Sequence, residues 1–146
     1  MYEHILIAFD GSDLSEKALR QGAQLAKAVG AKVTALYVTM PWSAIAAGEI
    51  AVMFPPEEYE TNAAKTAVEQ LKRAAETAKS IGVACDTLHK SDAQPYKAII
   101  DTAGANGCDL IVMGSHGRRG IAGLLLGSVA MKTLTHAHIP VLVYRE

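Results

Sequence analysis

The residues best suited to chemistry lie in one run, Gly114-Ser115-His116-Gly117-Arg118-Arg119-Gly120-Ile121-Ala122-Gly123-Leu124-Leu125-Leu126-Gly127-Ser128. Gly114 and Gly117 carry no Cβ, so the backbone there can approach a bulky anion and adopt positive φ. Gly127-Ser128 then opens a helix, and a helix start offers unpaired N–H groups and a positive dipole end to phosphate. The Ser128 hydroxyl adds a donor. Polar donors on a glycine-rich loop leading into a helix describe a phosphate cradle, although glycines of this kind also serve simply to turn corners. Arg118 and Arg119 read either as a solvated pair or as cations that fold over phosphates. His116 sits among them without a partner carboxylate in the motif, which disfavours acid–base catalysis by it.

Several familiar chemistries are excluded. No Gly-Lys-Ser/Thr follows the loop, so it is not a Walker A motif, and no GxGxxG follows the first strand. No GxSxG nucleophile elbow is present. Cys85 and Cys108 stand far apart with no CxxC and no paired Cys/His spacing, which argues against a zinc site or a disulfide framework. His136 and His138 close the last helix, where histidine suits the dipole better than it suits a metal pair.

The elements that must position this loop alternate between two periodicities. Ile5 to Phe9 is a short apolar run ending at Asp10-Gly11, a buried strand followed by a turn. Asp13 and Glu16 read as a capping pair for a helix through Leu14, Ala18, Leu25 and Val29, stopped by Gly30. Val33 to Val38 is β-rich. Helical spacing returns near Glu57 behind Pro55-Pro56, with Val68, Leu71, Ala75 and Ala78 on its stripe, and ends at Gly82. Val83 to Leu88 reads as a strand, Ser91-Asp92 as a cap for a helix closed by Asn106-Gly107, and Asp109 to Met113 as a strand. A helix from Gly127 and a last strand, Val141 to Tyr144, complete the order β-α-β-α-β-α-β-α-β. That order predicts an α/β domain: a doubly wound, five-stranded parallel sheet with helices on both faces. Ligands of such sheets bind beyond the carboxyl ends of the strands, where strand order reverses; the residues at those ends are Asp10, Val38-Thr39, His89-Lys90 and Gly114-Ser115, and the exit of the fourth strand is the informative one. The long connection Met40 to Phe54 reads as a lid or as packing surface.

Composition bounds the class. The chain has 146 residues, 14 basic and 15 acidic side chains, and half of its residues are apolar, which suits a single domain spanning 1–146. The near-neutral charge and an aromatic content of 5% with no stacking stripe argue against nucleic acid. Ile5 to Phe9 is too short for a signal-peptide core or a membrane span, so a soluble, cytoplasmic protein without membrane contact is expected.

The spacing Gly114-x2-Gly117-x9-Gly127-Ser128 resembles the ATP-binding signature of the universal stress protein family. Ile5-Leu6-Ile7-Ala8-Phe9-Asp10-Gly11-Ser12 is similar to that family's first strand, and Ile139-Pro140-Val141-Leu142-Val143 to its closing strand. The resemblance implies the adenine nucleotide alpha hydrolase-like fold and a bound ATP or AMP, with Mg²⁺ bridging phosphate oxygens when ATP is bound. It also implies roles for particular residues. Asp10 corresponds to the acidic residue near ribose and phosphates, and Val38 to the position whose backbone meets the adenine edge. Met113, Gly114, Gly117, Gly127, Ser128 and Val129 correspond to the loop and helix start around ribose and phosphates. Ser115, His116 and Arg118 lie inside the signature without being fixed by it. The family further implies a homodimer joined through Val141 to Tyr144.

The functional expectation is therefore an adenine-nucleotide-binding regulatory or stress-response module. A slow ATPase and a nucleotide-independent interaction module are the alternatives. Phosphoryl transfer recruits a cation and a metal-binding acid; Asp10 and Arg118 supply pieces, but no lysine stands at the loop, so weak hydrolysis is the most that is expected.

Overall fold

The computed structural model describes residues 1–45, 55–117 and 125–146. Their elements follow in the order β1 (His4–Ala8), α1 (Asp13–Val29), β2 (Lys32–Thr39), α2 (Trp42–Ile45), α3 (Pro56–Ile81), β3 (Cys85–Ser91), α4 (Pro95–Ala105), β4 (Leu110–Gly114), α5 (Ser128–His136) and β5 (Val141–Tyr144). The five strands form one sheet in the order β3-β2-β1-β4-β5. Every neighbouring pair is parallel, with Ile5 beside Val33 and Leu110, and Val112 beside Leu142. This is the doubly wound α/β architecture that the alternating pattern predicts.

The continuous apolar runs of the central strands follow from burial on both faces. Ile5, Ile7, Val33, Ala35 and Val112 pack with Leu19 and Ala26 of α1 and with Leu71 and Ala74 of α3. The alternate residues Leu6, Leu36, Ile111 and Met113 pack with Ile99 and Ala103 of α4 and with Ala130 of α5. Side chains of successive strand residues point to opposite faces, so the period of two builds two cores from one run. Each fully buried Leu or Ile contributes about 1.5–3 kcal/mol relative to exposure. Gly22 lets α1 lie close on the sheet, because a Cβ there would stand 2.8 Å from Ile7 Cδ1.

Most helix ends match their sequence signals. Gly30 and Gly82 terminate α1 and α3 in the left-handed region, at φ 75° and 100°. Three details differ. The N-cap of α1 is Ser12, whose side chain accepts from the Ser15 N–H, and Asp13 and Glu16 instead supply negative charge to the first turn. The buried stripe of α3 runs through Ala67, Leu71, Ala74 and Ala78, while Val68 is 68% exposed; small residues win because the helix lies close against α1 and the sheet. The cap of α4 moves from Ser91-Asp92 to Gln94, because β3 continues to Ser91 beside Thr39, and Asp92 instead accepts the Gln94 N–H in a turn.

Of the Met40 to Phe54 connection, the described part is tied to α3. The Trp42 N–H donates to Glu60 at 2.7 Å, and the Tyr59 hydroxyl donates to the Met40 carbonyl at 2.8 Å. Residues 46–54 lie outside the described residues, as do 118–124 with Arg118. Among the described residues no helix is long and apolar enough to cross a membrane.

Candidate functional site

The chain leaves β1 toward β2 and β3 on one side, and later toward β4 and β5 on the other. Strand order therefore reverses between β1 and β4, the place where ligands of open α/β sheets bind. The residues that follow β1 and β4 are Asp10 and Ser115, so the fold itself brings the two sequence-predicted segments together.

Asp10 is half-buried and held by the turn into α1. Its Oδ1 accepts the Ser12 N–H at 3.0 Å, and its own N–H donates to Ser15 Oγ at 3.3 Å. Gly11 between them has φ 82°, a left-handed conformation that favours glycine. The other carboxylate oxygen faces the loop after β4: a Cβ on Gly117 would stand 2.5 Å from Asp10 Oδ2. Gly114 has a similar reason to be glycine, since a Cβ there would lie 3.0 Å from Leu14 Cγ. At Gly127 a Cβ would lie 3.0 Å from the Ser115 carbonyl oxygen. The signature glycines are thus places where backbone meets another group closely.

The remaining candidates divide between backbone and side chain. Met113 is buried in the core beneath α4 and α5, and Val38 and Val129 pack against the same cluster from half-buried positions. The Met113 side chain is thereby closed to a ligand. Ser128 is exposed at the first position of α5, whose N-cap, Gly127, provides no side-chain hydrogen bond. The helix start therefore keeps N–H groups that no side chain caps. Ser115 is buried, its Oγ lies 3.0 Å from His116 Nδ1, and His116 Nε2 is buried without a hydrogen-bond partner among the described residues.

Sequence reasoning missed the residues that hold these groups in place. Ser12, Leu14 and Ser15 position Asp10 and Gly114 from the first turn of α1. Tyr144, the last residue of β5, accepts the Ser115 N–H at 2.7 Å. The Ser12-x-x-Ser15 pair was readable as helix-start chemistry; nothing in the sequence marked the Tyr144 carbonyl.

Other candidate chemistries are weak here. Among the described residues no group of at least three His, Cys, Asp or Glu side chains gathers as a metal site. Burial is the main cause that raises both thiols above the ordinary range, Cys108 to about 11, so neither is a ready nucleophile. His136 stacks on Tyr96 with ring centroids 5.3 Å apart, a packing role.

The model of the universal stress protein family matches residues 1–145. The chain belongs to the universal stress protein family. A universal stress protein of Bacillus subtilis, YxiE, is 32% identical over 149 aligned positions, which cover 99% of this chain and 100% of that protein. The universal stress protein UspA of Lactobacillus plantarum superposes with a TM-score of 0.83 at 26% identity, over 99% of this chain and 98% of that one. A universal stress protein crystallised in complex with cAMP superposes with a TM-score of 0.74 at 26% identity, covering 98% of this chain and 97% of that one.

Proposed function

We propose that residues 1–146 form one universal stress protein domain that binds an adenine nucleotide, ATP or AMP, between the ends of β1 and β4 and acts as a stress-response regulatory module. The observation that carries this reading is the approach of Gly117 to the Asp10 carboxylate, which joins the glycine-rich loop and the first strand into one site. The relative solved with cAMP supports adenine as the base. In this reading the Val38 backbone meets the adenine edge and Asp10 the ribose. The N–H groups of Gly114, Ser115, Gly117, Gly127, Ser128 and Val129 receive ribose and phosphates, with the Met113 backbone behind them and Arg118 closing on the phosphates. Were ATP the ligand, Mg²⁺ bound with it would neutralise phosphate charge. Bound nucleotide serves as signal and is not consumed as a metabolic substrate.

The module acts as a homodimer. β5 is an edge strand, and edges require a cover. Among the described residues, Leu142 of β5 is 36% exposed, and Leu125, Met131 and Leu134, in or just before α5, are 62%, 54% and 43% exposed. A second copy meeting Val141 to Tyr144 answers both features. The free cysteines suit the reducing cytoplasm.

Calorimetric titration of nucleotide-stripped protein with ATP and with AMP, Mg²⁺ present, tests the reading. One nucleotide bound per chain is expected. Binding of neither overturns it and leaves the interaction-module alternative.

A further inference from the structure

Ser115 is only 2% exposed, so each of its polar groups has to find its partner inside the protein. Its N–H donates to the Tyr144 carbonyl and its own carbonyl accepts the Gly127 N–H, both at 2.7 Å. One residue therefore ties the end of the edge strand to the start of α5. Its hydroxyl has a single proton to donate, and His116 Nδ1, 3.0 Å away, is its hydrogen-bond partner among the described residues.

That geometry decides which nitrogen of a neutral His116 carries hydrogen. Suppose Nδ1–H donated to Ser115 Oγ. The buried hydroxyl proton would then lack an acceptor, and the buried Nε2 would be a bare acceptor as well. If Ser115 donates to Nδ1 instead, the hydroxyl proton and Nδ1 are both satisfied, and the one remaining defect is an Nε2–H without an acceptor among the described residues. Satisfying more buried groups is the lower-energy choice.

We propose that Ser115 is a positioning residue that fixes neutral His116 as the Nε2–H tautomer, making the ring a hydrogen-bond donor held for a phosphate oxygen of the bound nucleotide. The tautomer follows from the protein's own contacts, whereas the acceptor rests on the nucleotide reading above. A ring fixed this way can take a proton at Nδ1 only if the Ser115 hydroxyl turns its own proton away, and it offers no lone pair at Nε2. At Nε2 it is therefore a recognition group, with no lone pair there for general-base catalysis.

The test uses ¹⁵N-histidine-labelled protein at alkaline pH, where imidazoles are neutral. Long-range ¹H–¹⁵N spectra should show His116 wholly as Nε2–H in the wild type, with a measurable Nδ1–H fraction appearing in Ser115→Ala. That variant keeps both backbone bonds of Ser115, and its melting curve checks the fold. An Nδ1–H wild-type ring, or identical populations in the two proteins, overturns the role of Ser115. For the acceptor, His116→Gln keeps an N–H donor and His116→Leu removes it. ATP affinity should stay within about threefold for Gln and fall about tenfold or more for Leu. Equal affinities for the two variants overturn the donor assignment. Should wild-type protein bind neither ATP nor AMP, the nucleotide reading fails while the spectra still decide the tautomer.

Discussion

A Cβ on Gly117 would stand 2.5 Å from Asp10 Oδ2, so the loop after β4 approaches the carboxylate after β1 as closely as only a glycine permits. Positions 10 and 117 are more than a hundred residues apart in sequence, yet they meet because β1 and β4 are neighbours at the reversal of strand order. Asp10 cannot easily retreat, since its Oδ1 is held by the Ser12 N–H. Gly117→Val should therefore displace the loop and weaken ATP and AMP binding about tenfold or more, equivalent to at least about 1.4 kcal/mol. Gly117 itself belongs to neither core, so the melting temperature should change little. Calorimetry alongside a thermal melt checks both halves, and unchanged affinity contradicts the joint site.

Gly22 makes a comparable demand inside the core. Alanine there gains about 1 kcal/mol of helix propensity, but its methyl would meet Ile7 Cδ1 at 2.8 Å and Val112 Cγ1 at 3.3 Å. Both neighbours are fully buried, and overpacking typically costs about 1–3 kcal/mol. The clash should win, leaving Gly22→Ala less stable by about 1 kcal/mol in urea denaturation. Pairing it with Ile7→Val removes the clashing Cδ1, so the double variant should be more stable than the sum of the single changes predicts.

The opposite end of the sheet supplies a pH dependence. Asp109 accepts the Glu3 N–H at 2.8 Å and the His4 N–H at 3.0 Å, tying the start of β1 to the start of β4. The Glu3 hydrogen bond, followed by that of His4, lowers its pKa below the ordinary 3.8. A carboxyl group whose folded pKa is depressed contributes stability that is present above the unfolded value and is lost as pH falls through the folded one. Asp109→Asn should therefore be less stable than wild type at neutral pH. The gap should close on acidification below about pH 4, as followed by urea midpoints across an acid series. A constant gap rules the linkage out.

Cys108 gives a kinetic prediction. Desolvation first, then the neighbouring Asp109 charge, raises its thiol to about 11. At about pH 8 an ordinary thiol is partly ionised, whereas Cys108 should be almost entirely protonated. Its alkylation by iodoacetamide should be slow in the native protein and should accelerate sharply in denaturant. Rapid labelling of folded protein, read by peptide mass spectrometry, would contradict this environment.

Much of the architecture was legible because its signals are local. Two-faced burial writes continuous apolar runs such as Ile5 to Phe9 and Leu110 to Met113, and chain reversal writes Gly30 and Gly82. The misreadings occur where tertiary packing overrides local pattern. Val68 fits the helical period as well as Ala67, but the close approach of α3 to α1 and the sheet selects the smaller residue. Ser91-Asp92 looks like a cap until the pairing of β3 with β2 draws Ser91 into the sheet. At the site, Asp10 and the signature glycines were readable as residue types at fixed spacings. The contact between them was not, because it depends on strand order, and neither was the Tyr144 carbonyl, since a backbone acceptor leaves no mark on its own residue type.

The edge strand yields the last prediction. Leu142 lies on β5 and Met131 and Leu134 on α5, and all three expose at least a third of their surface. Apolar side chains of this size on an otherwise unpaired edge favour a second copy, and burying them contributes about 25 cal/mol per Å² before the cost of association. Replacing Leu142 with Lys and Met131 with Glu puts charges where a partner strand would pack, and desolvating an unpaired charge costs several kcal/mol. The double variant should sediment as a monomer at concentrations where wild type sediments as a dimer. Its melting temperature should also lose the rise with protein concentration that mass action gives a dimer. If the wild type is itself monomeric at high concentration, the homodimer reading fails. If the variant still dimerises, the interface lies on another face, and the exposed apolar residues of α5 and β5 serve some other contact.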